Sequence, residues 1–387
     1  MNAEIKFLDE TLSLIHIPLN LYSTFLQPVL RVLLPPSQSL RPGCDESELE
    51  GLGPDLRHGF LNISVTPIEC SIVCHSAWAK TIFEPVIKQL PKDAAKTVSI
   101  SKDSYLVLCI ISAGMDAGSR VVDLTSPLAL AGIPIFFITT YYSDFILVPS
   151  KDKESVVKAL LARGFEFSEG NSSYVAPGAI SHTRGSSHAS EPPSTPPPST
   201  VAELQVRTFE LLKKRNVVPY VEEGLHLIHC SGQELQRSGG EYSHRPSMSR
   251  SYTGNGHRES WVDKVDTKLY TSLITALVAQ PRFLSVTLTA EDPPSLLLDK
   301  TLLSMFGDSV IGDTDADQVP IFLDLVNLPF EATGIVSGVA GRLVQELKMP
   351  DSSDLSYLST ARAGAVILSC DRSTQALEIL RPLLTRE

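Results

Sequence analysis

Cys70, Cys74 and His75 form the one cluster of potential metal ligands that the sequence places close together. In a β-strand, Cys70 and Cys74 share a face, because side chains alternate between the two faces of a sheet. Thiolate and imidazole groups are ligands for soft metals, so a metal site is one interpretation. We favour burial as core thiols, since none of the six cysteines has zinc-finger spacing.

The sequence lacks the motifs of common catalytic sites. It contains no G-x-S-x-G, no H-E-x-x-H, no Walker loop, and no G-x-G-x-x-G between a strand and a helix. Its nine histidines fall in predicted strands, linkers and an insertion rather than beside a plausible nucleophile. We therefore expect a protein that is not an enzyme and that holds no cofactor or metal.

Two glycines stand at the start of helix-like apolar stretches, in the segments 116–119 and 330–336. A helix that begins there directs free backbone N–H groups and the positive end of its dipole at the preceding turn, where a carboxylate is stabilised. Gly118 and Gly334 would also let the backbone approach such a ligand closely. A glycine at this kind of junction equally serves as a plain turn residue, and the residues alone leave both interpretations open.

The segments 118–149 and 334–368 share one pattern, which indicates an internal repeat. Each runs from a glycine through an amphipathic helix and a short break into two apolar strands joined by a turn. A strand at 105–111 precedes the first copy, and a helix at 155–163 and a short strand follow it. The resulting order is βαββαβ, which is the ferredoxin-like plan.

The same template fits the rest of the chain, so we predict an α+β protein of four tandem ferredoxin-like units arranged as two pairs. The predicted boundaries are 1–98 for the first unit, 99–168 for the second, 169–203 for a linker, 204–316 for the third and 317–387 for the fourth. The linker is rich in serine and proline, which is typical of disorder. A serine-rich insertion at 232–260 is either a phosphorylation switch or a solvated loop.

Composition and charge limit the partners and the compartment. The 387 residues are 43% hydrophobic and 20% charged, which suits a globular protein with a sizeable core. A net charge of −11 argues against nucleic acid, whose binding requires basic surfaces. No apolar run reaches the roughly 18 residues of a membrane helix, and the N-terminus MNAEIKFLDE lacks the layout of a signal peptide. We expect a cytoplasmic protein without a membrane partner.

Residues 103–167 resemble an ACT domain, the βαββαβ module that senses small molecules. More narrowly, they resemble the second ACT-like unit of the CASTOR family, cytosolic arginine sensors that govern the TOR growth complex by binding GATOR. The strand-turn-strand ITTYYSDFILV is the closest local match, and FEATGIVSGVAGRLVQEL resembles the fourth unit of that family. The order of the units and the polar linker between them also agree.

The resemblance implies an amino acid bound between the second and fourth units, held mainly by backbone atoms. The positions that it carries over as ligand-binding are Pro134, Ile135, Phe330, Thr333, Gly334, Ile335 and Val336. We add Glu331, Thr360 and Arg362 as further candidate ligand-binding residues of this chain. The turn that binds the protein partner in the family corresponds to Tyr141, Tyr142 and Asp144.

At the far end of the implied pocket, the sequence departs from the family. The aspartate that holds the ligand's guanidinium is replaced by Ala363 and Gly364, with Arg362 just before them. A serine of the family is Pro134 here, which has no N–H to donate. Because an unpaired buried guanidinium costs several kcal/mol, arginine is not the expected ligand. Glu331 could replace the missing acid, or Arg362 could favour an acidic ligand, and a site without a ligand is also open.

We therefore expect an amino-acid-binding regulatory protein that signals through protein contacts, with a GATOR-like complex of the TOR pathway as its partner. One alternative is an ACT-type allosteric subunit of an amino-acid biosynthetic enzyme such as aspartate kinase. Another is an adaptor without a ligand. The sequence leaves assembly as a homodimer open.

Overall fold

The computed structural model describes residues 3–34, 51–52, 57–112, 117–168, 198–233, 261, 265–348 and 355–385. Most of the predicted linker and most of the predicted insertion lie outside these residues. Disorder of the linker and a phosphorylation switch in the insertion therefore stay predictions.

Within the described residues, fifteen strands form one sheet. Runs rich in β-branched and aromatic residues account for most of them. The strands are β1 (Ala3–Pro18), β2 (Phe60–Val65), β3 (Glu69–His75), β4 (Ser99–Ile100), β5 (Tyr105–Ser112), β6 (Phe136–Thr139), β7 (Asp144–Pro149), β8 (Glu166–Phe167), β9 (Leu227–Gly232), β10 (Leu284–Thr289), β11 (Ser295–Asp299), β12 (Val310–Gly312), β13 (Gln318–Asp324), β14 (Ser356–Ser359) and β15 (Ala363–Ser369).

Twelve of these strands close into a ring. Their hydrogen-bonded order is β11-β10-β2-β3-β1-β5-β7-β6-β14-β15-β13-β9, and the pairing of β11 with β9 closes the circuit. Each predicted unit supplies three neighbouring strands. The joins between units are unequal, because β10 and β2 align over six residue pairs, whereas β6 meets β14 only at Ile138 and Leu358. The repeat pattern of the sequence did not predict this closed arrangement.

The helices follow amphipathic segments of the sequence. They are α1 (Tyr22–Leu33), α2 (Ser76–Trp78), α3 (Glu84–Gln89), α4 (Lys92–Ala95), α5 (Ala117–Leu130), α6 (Lys153–Leu161), α7 (Val201–Lys214), α8 (Thr267–Val278), α9 (Leu303–Phe306), α10 (Ile335–Glu346) and α11 (Cys370–Leu384). A π-helical turn, Ala79–Phe83, joins α2 to α3. Among the described ranges, no helix has the length and apolar character needed to cross a membrane.

The core has an inner and an outer layer, because strand side chains alternate between the two faces of the ring. The inner cluster, with Val107, Phe145 and Phe322 among its members, contains strand and loop residues but no helical ones. Two outer clusters hold the apolar faces of the helices. Cys70 and Cys74 are fully buried in one of these, and burial raises the pKa of both thiols. In the described part of the chain, no group of metal-ligating side chains is assembled.

The predicted second unit has the expected order β5-α5-β6-β7-α6-β8, but its last strand is displaced. β8 pairs with β1 at Glu4 and Ile5, and the same half of β1 pairs with β5. The N-terminal half of β1 therefore lies between β5 and β8. The N-terminal half of β1 was not predicted, because charged residues such as Glu4 and Lys6 obscure the apolar alternation of Ile5 and Phe7.

Helix α7 was not predicted, and its first three residues lie in the predicted linker. The Thr200 hydroxyl accepts a hydrogen bond from the Glu203 N–H at 3.2 Å. The Glu203 carboxylate accepts from the Ser199 N–H and hydroxyl, both at 2.9 Å. This arrangement closely resembles a capping box, whose Thr-x-x-Glu signature was present in the sequence. The serine- and proline-rich composition just before it outweighed that signal.

His58 gives the fold a dependence on pH. Its ring is 2% exposed, donates from Nε2 to the Val32 carbonyl at 2.7 Å and lies edge-on to Trp78. Burial lowers the pKa of His58 from 6.5 to about 4, against an opposing contribution from the Val32 hydrogen bond. Between about pH 6.5 and pH 4, His58 is therefore protonated in the unfolded chain but neutral in the folded protein. Stability falls as the pH decreases through this range.

We expect this single group to lower the free energy of unfolding by about 2 kcal/mol between pH 7 and pH 5. Urea unfolding at several pH values, compared between the natural chain and His58→Gln, measures its share. The glutamine keeps an N–H donor for Val32 but does not titrate, so the variant should lose less stability on acidification. Equal losses in the two proteins would show that His58 is not the cause.

Candidate functional site

Helix α10 begins directly after Gly334, whose φ of 81° lies in the left-handed region. Glycine has no side chain to cap the helix, so the N–H groups of Ile335, Val336 and Ser337 start the helix without a side-chain acceptor from the N-cap position. These donors and the helix dipole favour an anion at this end. The preceding loop is folded by two turns, in which Leu328 and Ala332 donate their N–H groups to Leu325 and Pro329.

A cavity lies against this helix start. Its volume is about 50 Å³, which is room for roughly three to five water molecules or a small ligand. The walls come from the loop before α10, the first turn of α10, the hairpin of β14 and β15, and the start of β6. The lining residues are Ile135, Phe136, Leu325, Leu328, Pro329, Phe330, Ala332, Gly334, Ile335, Val336, Tyr357, Ser359, Thr360, Ala361, Arg362 and Ala363.

Arg362 supplies a positive charge to the cavity wall. Its guanidinium lies over the Phe330 ring, 4.0 Å from the centroid, and Nη1 donates to the Leu328 carbonyl at 2.9 Å. Among the described residues it forms no ion pair with a carboxylate, although a guanidinium has five N–H donors. The remaining donors are therefore available to an anionic ligand.

Tyr357 also lines the cavity. Its side chain is 1% exposed, and its hydroxyl has no hydrogen-bond partner in the described part of the chain. Burial raises the pKa of this phenol, which keeps it protonated as a donor. A buried hydroxyl without a partner costs about 1–3 kcal/mol. A ligand in the cavity could supply the missing acceptor.

The hairpin that carries Arg362 is held from the other side by Glu69, at the start of β3. The fully buried Glu69 carboxylate accepts hydrogen bonds from the Thr360 hydroxyl, the Arg362 N–H and His16 Nδ1, each at 2.5 Å. Ser71 adds an acceptor for the Ala361 N–H at 3.0 Å. The first predicted unit therefore fixes the position of a hairpin in the fourth.

The predicted second and fourth units pack side by side. The hydroxyls of Thr139 and Ser359 accept hydrogen bonds from the N–H groups of Tyr357 and Phe137 across the join of β6 and β14. On the helical side, Ser126 and Ser337 share a hydrogen bond of 2.9 Å between α5 and α10. The ligand site implied by the resemblance requires these two units to be neighbours.

The predicted ligand residues fall into two groups. The cavity brings together Ile135, Phe330, Gly334, Ile335, Val336, Thr360 and Arg362. Pro134, Glu331 and Thr333 do not line it, and Glu331 is exposed. Residues 113–116 lie outside the described structure, so the anion-binding turn predicted at 116–119 stays a prediction. Tyr357, Phe136 and Glu69 were not predicted from the sequence.

Gly334 has a structural role that the sequence did not reveal. A Cβ atom there would lie 2.7 Å from Leu204 Cδ1 and 2.9 Å from Thr208 Oγ1, both on α7. The Thr208 hydroxyl also donates to the Gly334 carbonyl at 3.3 Å. The glycine therefore allows α7 to pack closely against the start of α10, so its presence alone does not indicate a ligand.

The three residues predicted to bind a protein partner differ in exposure. Tyr141 and Tyr142 are 38% and 48% exposed. Asp144 is buried and forms an ion pair with Arg120. Burial raises the pKa of its carboxyl, while Arg120 and Thr139 act in the opposite direction. In the folded protein Asp144 forms a buried ion pair, so of these three residues only Tyr141 and Tyr142 are accessible to a partner.

Comparisons with known proteins identify one domain. Residues 100–162 match the model of the ACT domain, so the chain contains an ACT domain within its predicted second unit. The match covers less than half of the chain, and the division into four such units stays a prediction. No curated protein matches the chain.

Two solved structures illustrate the remaining similarity. The protein Atu0741 from Agrobacterium tumefaciens is 20% identical, with 43% of this chain and 92% of that chain covered and a TM-score of 0.27. Aspartate kinase from Synechocystis is 10% identical, with 99% of this chain and 56% of the kinase covered and a TM-score of 0.31. This chain thus spans little more than half the length of the kinase. Scores this low do not establish a common fold.

Proposed function

Since the chain contains an ACT domain, we propose that this protein is a non-catalytic regulatory protein that binds an amino acid. ACT domains are regulatory modules that bind small amino acids. The observation that carries the proposal is the cavity at the start of α10, because it combines a helix N-terminus, the Arg362 guanidinium and the unpartnered Tyr357 hydroxyl. Each of these groups favours a carboxylate.

The cavity lies mainly in the predicted fourth unit, and only Ile135 and Phe136 belong to the matched ACT domain. A ligand there would contact both, and its binding would strengthen the narrow join between β6 and β14. A ligand stabilises the conformation to which it binds more tightly. Binding at this join would therefore favour one position of the second unit relative to the fourth.

Thermal unfolding of the full chain in the presence of each of the twenty amino acids tests the proposal. We expect at least one L-amino acid to raise the midpoint by several degrees, because a ligand at about 100 times its Kd stabilises by about 2.7 kcal/mol. The corresponding D-amino acids are the control ligands. The absence of a shift with all twenty would contradict amino-acid binding.

Tyr357→Phe separates a binding role from a packing role. Because the natural hydroxyl is buried without a partner, its removal should leave the ligand-free protein as stable as before, or up to about 1 kcal/mol more stable. The same substitution should weaken ligand binding by several-fold, since the ligand loses a donor. Lower stability in the ligand-free variant with unchanged binding would place the hydroxyl outside the site.

For the protein partner, the resemblance of 103–167 and 330–347 to the CASTOR family supports a GATOR-like complex of the TOR pathway. The half-exposed Tyr141 and Tyr142 are the candidate contacts. The second candidate is allosteric control of an amino-acid biosynthetic enzyme such as aspartate kinase, which the ACT domain equally supports. Affinity purification of the tagged chain with and without amino acids separates the two, and Tyr141→Ala with Tyr142→Ala should abolish capture of the true partner.

A further inference from the structure

We propose that the ligand of this cavity is a short acidic amino acid such as aspartate, whose side-chain carboxylate binds Arg362. This inference rests on the proposed amino-acid-binding function and names the class of ligand. Three observations support it. The Arg362 guanidinium has no carboxylate partner among the described residues, the start of α10 offers further donors to an anion, and Arg362 already uses the contacts that a cationic ligand would need.

The Arg362 guanidinium is oriented but not neutralised. The Phe330 face holds its plane, and the Leu328 carbonyl takes one N–H, while no carboxylate of the described residues pairs with it. A guanidinium fixed in this way presents its other N–H groups in a planar fork, which matches the two oxygens of a carboxylate. An anion is therefore the missing partner.

The cavity contains a second group of hydrogen-bond donors that can bind an anion, at the start of α10. The N–H groups at the start of α10 have no acceptor from Gly334, and the helix dipole adds positive potential there. The Tyr357 hydroxyl provides a further buried donor without a partner. A molecule with two carboxylates satisfies both ends, the α-carboxylate at the helix and the side-chain carboxylate at Arg362.

A ligand with a guanidinium or ammonium side chain finds its natural contacts already occupied. Arg362 covers the Phe330 ring and uses the Leu328 carbonyl, which are the groups that a ligand's own cation would select. It also adds a like charge, which opposes a second cation in a confined space. Arg362 thus selects against arginine and lysine.

Calorimetric titration of the full chain with aspartate, glutamate, asparagine and arginine tests the inference. We expect aspartate to bind about 10- to 100-fold more tightly than asparagine, which has the same shape without the charge. Arginine should not bind measurably. In Arg362→Gln, which keeps a planar N–H donor without the charge, the affinity for aspartate should fall to that for asparagine.

Arg342→Gln is the matched control, because Arg342 lies on α10 outside the cavity, in an ion pair with Glu346. It should leave every affinity unchanged. Equal binding of aspartate and asparagine, tighter binding of arginine, or a preference that survives in Arg362→Gln overturns the acidic ligand while amino-acid binding stands. If none of the twenty amino acids binds, the proposed function itself fails. Should Arg362→Gln not fold, the comparison of aspartate with asparagine in the natural chain still decides.

Discussion

The substitution Glu69→Ala is expected to lower the free energy of unfolding by about 3–5 kcal/mol. The carboxylate is fully buried and accepts from the Thr360 hydroxyl, the Arg362 N–H and His16 Nδ1. Its removal takes the acceptor away from the Arg362 N–H and His16 Nδ1, and it leaves the Thr360 hydroxyl only its longer contact with the Ala363 carbonyl at 3.3 Å. It also opens a space between the β2–β3 and β14–β15 hairpins. Urea unfolding at pH 7 measures the loss.

Glu69→Gln is the control for this substitution. The amide oxygen can still accept from Thr360 and Arg362 in the same volume, so the loss should be smaller than in Glu69→Ala. Any bound amino acid should also be held less tightly in Glu69→Ala, because the hairpin that carries Arg362 loses its support. A loss of stability below about 1 kcal/mol would mean that the carboxylate is solvated or replaceable, and that the first unit does not fix this hairpin.

The second large effect is expected for Gly334→Ala, with a loss of stability of about 3 kcal/mol. The left-handed backbone disfavours any side chain by roughly 1–2 kcal/mol, and the new Cβ would crowd Leu204 and Thr208 on α7, which adds an overpacking cost of about 1–3 kcal/mol. Thermal or urea unfolding of the variant, without ligand, measures the sum.

Gly132→Ala separates these two contributions. Gly132 has a similar φ of 72°, but a Cβ there would meet no atom within 4 Å, so only the backbone cost of about 1–2 kcal/mol applies. The difference between the two variants is the packing of α7 on α10. Equal losses would show that α7 yields freely, and that the glycine is required for its backbone conformation alone.

Local structure was predicted well where the pattern is strong. The hairpin of β6 and β7 was predicted, because two apolar runs are separated by a short polar turn. The N-terminal half of β1 and helix α7 were missed for opposite reasons. In β1, charges masked the alternation of Ile5 and Phe7, and before α7 a biased composition concealed the Thr200 cap.

The sequence predicted some residues of the candidate site. The residues that it did not predict owe their roles to contacts with residues far away in the sequence. The resemblance carried over Phe330 and Gly334, Arg362 was noted where the sequence departs from the family, and the fold brings all three to one cavity. Nothing local distinguishes Glu69, whose role arises from hydrogen bonds to a hairpin about 290 residues away. The Tyr357 hydroxyl lacks a partner among the described residues because of how the side chain packs in the folded protein. The sequence Tyr-Leu-Ser around it predicts only a strand.

The closed circuit of strands has a consequence for how this protein can associate with others. A sheet edge normally recruits a strand from a second molecule, which underlies both dimer formation and aggregation. In the described part of the chain each strand of the circuit has a neighbour on both sides, and β4, β8 and β12, which lie off it, are only two or three residues long. Within the described residues, helix faces and exposed loops are therefore the surfaces through which a homodimer or a complex with another protein would form.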